Sequence, residues 1–165
     1  MELEGSVEAS LQARQVLSFF REKGQPVFHI QHISTRSTAT FFLPGTDGVE
    51  IQENVRPRSD EAVIQKNFPN SFRNTDLLEQ LRKKEVNRVV ICGMMTHMCV
   101  DATTRAAFDY GFECVVLYDA CATKTLSFNG KSIPAEQVHG SFLAALSGTY
   151  AKVISIEQFF SEIVE

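Results

Sequence analysis

The fold of this chain is decided by one stretch, Arg88-Val-Val-Ile-Cys-Gly-Met-Met-Thr-His-Met-Cys99-Val-Asp-Ala-Thr-Thr-Arg-Ala-Ala-Phe-Asp-Tyr-Gly111. It opens with a short β-branched run, Val89 to Ile91, which is typical of a strand buried on both faces. Gly93 interrupts this pattern, and a helix is predicted to begin at Thr96. The stretch therefore predicts a buried strand, a tight turn and a helix in direct succession.

Cys99 lies in the first turn of this predicted helix. With Thr96 as the N-cap, Cys99 occupies the third helical position, where the backbone N–H has no partner within the helix. The positive end of the helix dipole favours a thiolate there, and the thiolate is the reactive form of cysteine. Cys99 is therefore a candidate nucleophile, whereas the commonest role of a free cysteine is that of a small buried hydrophobic residue.

Length and composition restrict the class of protein. The chain has 165 residues, of which 44% are hydrophobic, and this suffices for a single domain over residues 1–165. No stretch approaches the ~20 apolar residues of a membrane-spanning helix, so we expect no membrane association. The net charge is −4 without a basic run, which argues against a nucleic-acid partner. No secretory signal pattern is visible, which favours a cytoplasmic location.

The cysteines and histidines do not indicate a metal site. The four cysteines are at positions 92, 99, 114 and 121. They form no Cys-x-x-Cys pair and lie in or beside apolar segments, so we expect reduced thiols. His29 and His32 are three apart on a predicted strand and point to opposite faces, and no Asp-x-His pattern lies beside them. We expect no metal and interpret both histidines as core or pocket residues.

Hydrophobic spacing and turn residues divide the chain into alternating helices and strands. Besides the helix after Thr96, helices are predicted over 6–23, 75–84, 134–146 and 156–163. Strands are predicted over 26–32, 62–66, 88–93, 113–118 and 152–155. Such alternation is typical of βαβ units that build a parallel sheet covered by helices on both faces. Ligands bind at the carboxyl ends of such strands, where Lys66, Cys99 and Asp119 lie.

Two segments between these elements are predicted to be irregular. Phe41-Phe-Leu-Pro-Gly-Thr-Asp-Gly48 is either the wall of a pocket or a surface loop anchored by its rings, and we favour the pocket wall, with Phe42 as a candidate substrate contact. The other is a polar loop that contains Asn129-Gly130. His97, beside the predicted turn, is either a substrate contact or a solvent-facing residue of the first helical turn.

Three segments together resemble the isochorismatase-like cysteine hydrolase superfamily. They are Val63-Ile-Gln-Lys66-Asn-Phe-Pro-Asn-Ser-Phe72, Gly93-Met-Met-Thr-His-Met-Cys-Val-Asp-Ala-Thr-Thr-Arg-Ala-Ala107 and Tyr118-Asp-Ala-Cys-Ala122. The resemblance covers nearly the whole chain, and the lysine segment together with Gly-x-x-Thr-x-x-Cys-Val is a specific pair. It implies a three-layer α/β/α sandwich with a mainly parallel sheet.

The resemblance also implies a set of site residues. Lys66 and Cys99 match two of the family's catalytic positions. A Cys99 thiolate would attack a small amide or related substrate and form a covalent intermediate, and the Lys66 ammonium would favour the thiolate. The resemblance further implies a cis peptide bond between Met94 and Met95, an oxyanion hole formed by the amides of Met95 and Cys99, no cofactor, and a homodimer or higher homo-oligomer.

The family's third catalytic residue, an aspartate at the end of a first strand, has no counterpart in this sequence. Met1-Glu-Leu-Glu-Gly5 corresponds to a point past that strand, so we expect the first strand to be absent. Strands 26–32 and 88–93 would flank it, and a direct ladder between them would indicate a genuine five-stranded variant. Asp119 is expected to hold the loop after its strand. Two functions stay open: a small-molecule cysteine hydrolase, and a non-catalytic family member that serves as a binding or assembly subunit.

Overall fold

Helices and strands alternate along most of the chain in the computed structural model, which describes residues 3–164. The helices are α1 (Ser6–Glu22), α2 (Leu77–Lys83), α3 (Asp101–Asp109), α4 (Ala135–Leu146) and α5 (Ile156–Val164). The strands are β1 (Phe28–His32), β2 (Ala62–Lys66), β3 (Arg88–Met94), β4 (Glu113–Ala122), β5 (Leu126–Phe128), β6 (Lys131–Ile133) and β7 (Lys152–Ile154). The predicted mixed α/β architecture is confirmed.

The five strands β1, β2, β3, β4 and β7 pair in parallel, as predicted. β1 pairs with β2, and β3, β4 and β7 form a second sheet in the order β3-β4-β7. No ladder joins β1 to β3 among the residues that the structure describes, so the direct pairing that would indicate a five-stranded variant is not formed there. The two parallel sheets are therefore separate hydrogen-bonded units.

β4 is the most deeply buried strand and separates two apolar clusters. Cys114 and Val116 pack on one face with residues of α2, α3 and α4, whereas Val115 and Leu117 pack on the other face with residues of α1 and α5. This alternation follows from the two-residue period of a strand, which sends successive side chains to opposite faces. Helices thus cover both faces of the sheet that contains β4, in agreement with the predicted three-layer sandwich.

The prediction that β3 is buried on both faces is wrong. Its residues Val89 to Ile91 are only half-buried, and Cys92 is exposed. The reason is that, within residues 3–164, β3 pairs with β4 on one side only. A β-branched run indicates a strand, but its burial depends on neighbours that are distant in the sequence.

The polar loop predicted around Asn129-Gly130 is in fact the antiparallel hairpin of β5 and β6. Asn129 and Gly130 form its turn with φ of 49° and 73°, and positive values at both central residues are what the Asn-Gly pair is suited to. β4 also continues through Asp119 to Ala122 instead of ending at Tyr118. The Asp119 carboxylate accepts a hydrogen bond at 3.1 Å from the Ile156 amide and so caps α5. The expectation that Asp119 holds the loop after its own strand is therefore wrong.

Glu61 joins three parts of the fold just before β2. Its carboxylate accepts hydrogen bonds of 2.6 and 2.7 Å from the guanidinium of Arg21 in α1 and one of 2.8 Å from the Arg58 amide. Nε2 of His29 in β1 lies 2.8 Å from the same carboxylate. These contacts, led by the hydrogen bond from Arg21, lower the pKa of Glu61 to about 2.

Replacing Glu61 with glutamine is expected to lower the free energy of unfolding by about 3 kcal/mol near neutral pH. Because the folded pKa is depressed, the contribution of Glu61 is fully present above its ordinary pKa of 4.5 and is lost as the pH falls towards about 2. Denaturant unfolding of the parent protein and of E61Q across this pH range tests the prediction. The free energies of unfolding of the two proteins should become equal in acid. The matched control is E53Q, since Glu53 pairs with Arg56 on the exposed surface. An equal loss in E53Q, or a pH-independent loss in E61Q, would contradict the prediction.

Candidate active site

The structure brings Lys66 and Cys99 together where β2 and β3 end. Lys66 is the last residue of β2 and is only 3% exposed, and its ammonium donates a 2.5 Å hydrogen bond to the Pro69 carbonyl. The Cys99 thiol is near enough for its charge to act on the Lys66 ammonium. Burial lowers the pKa of Lys66, while the charge and hydrogen bond of Cys99 act in the opposite direction. A buried ammonium beside a partly exposed thiol is an arrangement that stabilises a thiolate.

The turn that presents Cys99 differs from the predicted one. The residues Thr96–Val100 form a π-helical turn ahead of α3, with Met95 as its N-cap. The Met95 carbonyl accepts hydrogen bonds from the amides of Met98 at 3.0 Å and Val100 at 3.3 Å, and the latter spans five residues. Cys99 is therefore the fourth residue of a wider turn and not the third of an α-helix. The peptide bond between Met94 and Met95 is cis, as the resemblance implies.

Thr96 anchors this turn on its buried side. Its side chain is completely buried, and its hydroxyl lies 2.9 Å from Nδ1 of His139 in α4 and 3.3 Å from the Ala122 carbonyl at the end of β4. Burial lowers the pKa of His139, and a hydrogen bond with the Tyr118 carbonyl opposes this shift. The neutral imidazole thus ties α4 to the turn that carries the thiol.

His97 faces away from the thiol. Its Nδ1 lies 2.5 Å from the hydroxyl of Thr123, and its ring packs edge-on against Phe142 at 5.9 Å between centroids. Burial and the charge of Lys124 lower its pKa. His97 does not line the cavity beside Cys99, and its role as a substrate contact stays a prediction.

A cavity of about 140 Å³ opens beside Cys99. Met95 and Pro69 form one side, and the loop after β1, from Ser34 to Phe42, forms the other. The aromatic segment is therefore a pocket wall, as favoured from the sequence.

Two contacts hold this wall in place. Phe42 stacks on the ring of His32 with centroids 5.0 Å apart, and its carbonyl accepts a 2.8 Å hydrogen bond from the Ser34 amide. Phe42 adopts a φ of 58°, a left-handed conformation that bulky residues seldom take. Its wall position agrees with the predicted substrate contact, which stays a prediction.

The family model of the isochorismatase domain matches residues 2–158. The chain belongs to the isochorismatase family. It is 52% identical over 159 residues to an uncharacterized isochorismatase family protein, YddQ, of Bacillus subtilis (strain 168), covering 96% of this chain and 88% of that one. A crystal structure of a proposed isochorismatase hydrolase from Oleispira antarctica shares 48% identity with a TM-score of 0.91, covering 96% of this chain and 84% of that one. Nicotinamidase 3 of Arabidopsis thaliana is 28% identical over 84% of this chain and 71% of its own length.

Members of the isochorismatase family are hydrolases, and this assigns the chain to that general class. In this isochorismatase-family chain, residues 3–164 contain no cluster of three histidine, cysteine, aspartate or glutamate side chains placed to hold a metal ion. The four cysteines are free thiols, as expected. None of the helices in the described part of the chain combines the length and apolar character that crossing a bilayer requires.

Sequence reasoning did not assign functional roles to several residues of this isochorismatase-family site. His139 was predicted only as a helix residue, because helical spacing does not show which turn a helix packs against. Arg36 lines the cavity and lies between the strand predicted over 26–32 and the aromatic segment that begins at Phe41. His32 was interpreted as a core or pocket residue and does line the cavity. The signal available for Arg36 was its position a few residues after a strand end, where ligands bind.

Proposed function

We propose that this chain is a cysteine hydrolase that cleaves a small amide or related substrate through a covalent intermediate on Cys99. The observation that carries the proposal is a buried Lys66 ammonium whose charge interacts with the partly exposed thiol of Cys99 at the wall of a cavity. Burying a cation is costly unless a partner compensates it, and a thiolate is such a partner. A cysteine with a packing role alone would not require this cation.

The reaction follows from this pair. The Cys99 sulfur, held as a thiolate by Lys66, attacks the carbonyl carbon of the amide and forms a carbon–sulfur bond. The carbon–nitrogen bond then breaks, and the leaving amine takes a proton from solvent water. Water adds to the resulting thioester and the carbon–sulfur bond breaks, which releases a carboxylic acid, returns a proton to solvent and restores the thiolate. Lys66 also stabilises negative charge that develops on the substrate oxygen.

The amides of Met95 and Cys99 are proposed as the oxyanion hole. Both residues line the cavity, and both belong to the turn that positions the sulfur. Thr96 and His139 hold this turn from the buried side, so its amides are fixed before substrate binds. Donors that are fixed in advance cost no reorganisation when the oxyanion forms.

An acyl-transfer experiment tests the proposal. The protein is mixed with p-nitrophenyl acetate, and the release of p-nitrophenolate and the intact protein mass are followed together. We expect a rapid burst, one acetyl group that maps to Cys99, and loss of this group as water regenerates the thiol. A C92S variant serves as control, since Cys92 is an exposed cysteine outside the cavity lining. Absence of acetylation at Cys99 would contradict the proposal, and an acetyl group that is never released would favour the non-catalytic binding subunit.

Location and assembly are proposed from composition and resemblance. We propose a cytoplasmic protein that forms a homodimer or higher homo-oligomer and does not bind nucleic acid. The net charge of −4 agrees with the last point. Exposed aromatic residues such as Phe128, which is 69% exposed, agree with a surface that is covered by a second copy.

A further inference from the structure

We propose that the substrate carries a carboxylate in addition to the bond that is cleaved, and that Arg36 binds this carboxylate at the edge of the cavity. This inference rests on the proposed function, because it concerns the same cavity. Arg36, in the loop after β1, then determines whether the site prefers an anionic or a neutral substrate.

The first observation is the distribution of charge in the cavity. Arg36 and Cys99 line the same cavity, and the remaining lining side chains are hydroxyl, apolar, aromatic or imidazole groups. Burial and the charges of Lys66 and Arg36 lower the pKa of His32, the lining imidazole, so it is neutral near pH 7. Among the residues that the structure describes, Arg36 is then the lining residue that carries a permanent positive charge.

The second observation is that Arg36 has no partner for this charge within residues 3–164. The arginines that form ion pairs are Arg21, Arg56, Arg88 and Arg105, each with a carboxylate within 4 Å. Arg36 is exposed and does not belong to this set. An arginine at a cavity wall with five unused N–H donors is suited to a planar anion from outside.

Lys66 does not fill this role. It is almost completely buried, and its ammonium donates a hydrogen bond to the Pro69 carbonyl. In the proposed mechanism its charge acts on the sulfur of Cys99. A carboxylate on the substrate needs a second cation, and Arg36 is placed to supply it.

The loop that carries Arg36 is fixed against the end of β1. The Arg36 carbonyl accepts a 3.0 Å hydrogen bond from the Ala39 amide, and the Ser34 amide bonds to the Phe42 carbonyl. Hydroxyl groups of Ser34, Thr38 and Thr40 line the same side and offer further donors. A guanidinium that binds a carboxylate in bidentate fashion with hydroxyl donors nearby is a common arrangement for recognising this group.

The size of the cavity limits the rest of the substrate. A cavity of about 140 Å³ is close to the ~150 Å³ that holds a molecule such as benzene. The geometry thus points to a compact amide acid, with its carboxylate on Arg36 and its amide carbon beside the Cys99 sulfur.

Protection of Cys99 from alkylation tests this inference without knowledge of the substrate. The rate of Cys99 modification by iodoacetamide is measured with increasing benzoate or its neutral isostere benzamide, and peptide mapping separates Cys99 from Cys92. Benzoate is expected to protect at a concentration about tenfold lower than benzamide, which corresponds to ~1.4 kcal/mol. In R36Q this preference should disappear.

The control is R56Q, which removes the same charge from an arginine outside the cavity lining and should keep the preference for benzoate. A second measurement is the ratio of the Cys99 alkylation rate with iodoacetate to that with iodoacetamide. This ratio should fall in R36Q and not in R56Q. Equal protection by benzoate and benzamide in the parent protein, or a preference that survives in R36Q, overturns the inference while rapid alkylation still supports the proposed function. Alkylation of Cys99 as slow as that of an unperturbed thiol contradicts the proposed function and this inference together.

Discussion

Replacing Cys99 with serine is expected to abolish hydrolysis, with kcat reduced by roughly 10³-fold or more. A serine hydroxyl beside Lys66 is not ionised at neutral pH, so the nucleophile is lost while the shape of the turn is kept. Because Cys99 is only partly buried, the free energy of unfolding should change by less than about 1 kcal/mol. Turnover of the acetyl ester and denaturant unfolding, measured on the same preparation, check both parts.

The matched control for this substitution is C92S. Cys92 lies seven positions earlier along the chain, in β3, and is exposed outside the cavity lining. The C92S variant should therefore hydrolyse the acetyl ester at the parent rate. Hydrolysis that persists in C99S at the parent rate would show that the sulfur of Cys99 is not the nucleophile. Loss of activity in both variants would instead point to damage at the end of β3.

Replacing Lys66 with methionine is expected to slow the alkylation of Cys99 at neutral pH by roughly tenfold or more. Methionine fills a similar volume but removes the cation that favours the thiolate. The fold should persist, because Lys66 is 3% exposed and an apolar side chain is better suited to a buried position than a charge. Rates with iodoacetamide as a function of pH check the prediction, and the two proteins should converge in strong base, where every cysteine ionises.

K84M provides the comparison for Lys66. Lys84 is exposed at the end of α2, and its loss changes the net charge equally. Alkylation of Cys99 should be the same in K84M as in the parent protein. If K66M also leaves the rate unchanged, Lys66 does not activate the thiol and the mechanism proposed above is wrong.

The sequence predicted the parts of this site that depend on local patterns. The β-branched run before Gly93 predicted a strand, the strand over 62–66 matches β2, and the resemblance implied both Lys66 and the cis peptide bond. These features are encoded by adjacent residues. The hairpin at Asn129-Gly130 was also encoded locally and was missed, because short strands of three residues give little alternation to detect.

Other features depend on contacts between distant segments, which no local pattern specifies. The burial of β3 depends on which strands pair with it, and the bond between Thr96 and His139 depends on how α4 packs. The π-helical turn follows from a hydrogen bond between Val100 and Met95, which competes with the α-helical pattern at the same residues. Arg36 could be placed at the cavity only once the loop that carries it was positioned.

The separation of the two parallel sheets affects how the catalytic pair is maintained. Lys66 ends a strand of one sheet, while Cys99 follows a strand of the other, and no ladder between β1 and β3 joins the two within the described residues. Their contact is therefore set not by a shared strand register but by the segments that follow the two strands, where the Thr103 hydroxyl of α3 accepts a 3.1 Å hydrogen bond from the Ser71 amide and donates one of 3.4 Å to the Pro69 carbonyl. A few side-chain hydrogen bonds resist displacement less than a continuous ladder does, and the attraction between an ammonium and a thiolate weakens as the distance between them grows. The nucleophilicity of Cys99 should therefore depend on the distance between the two sheets.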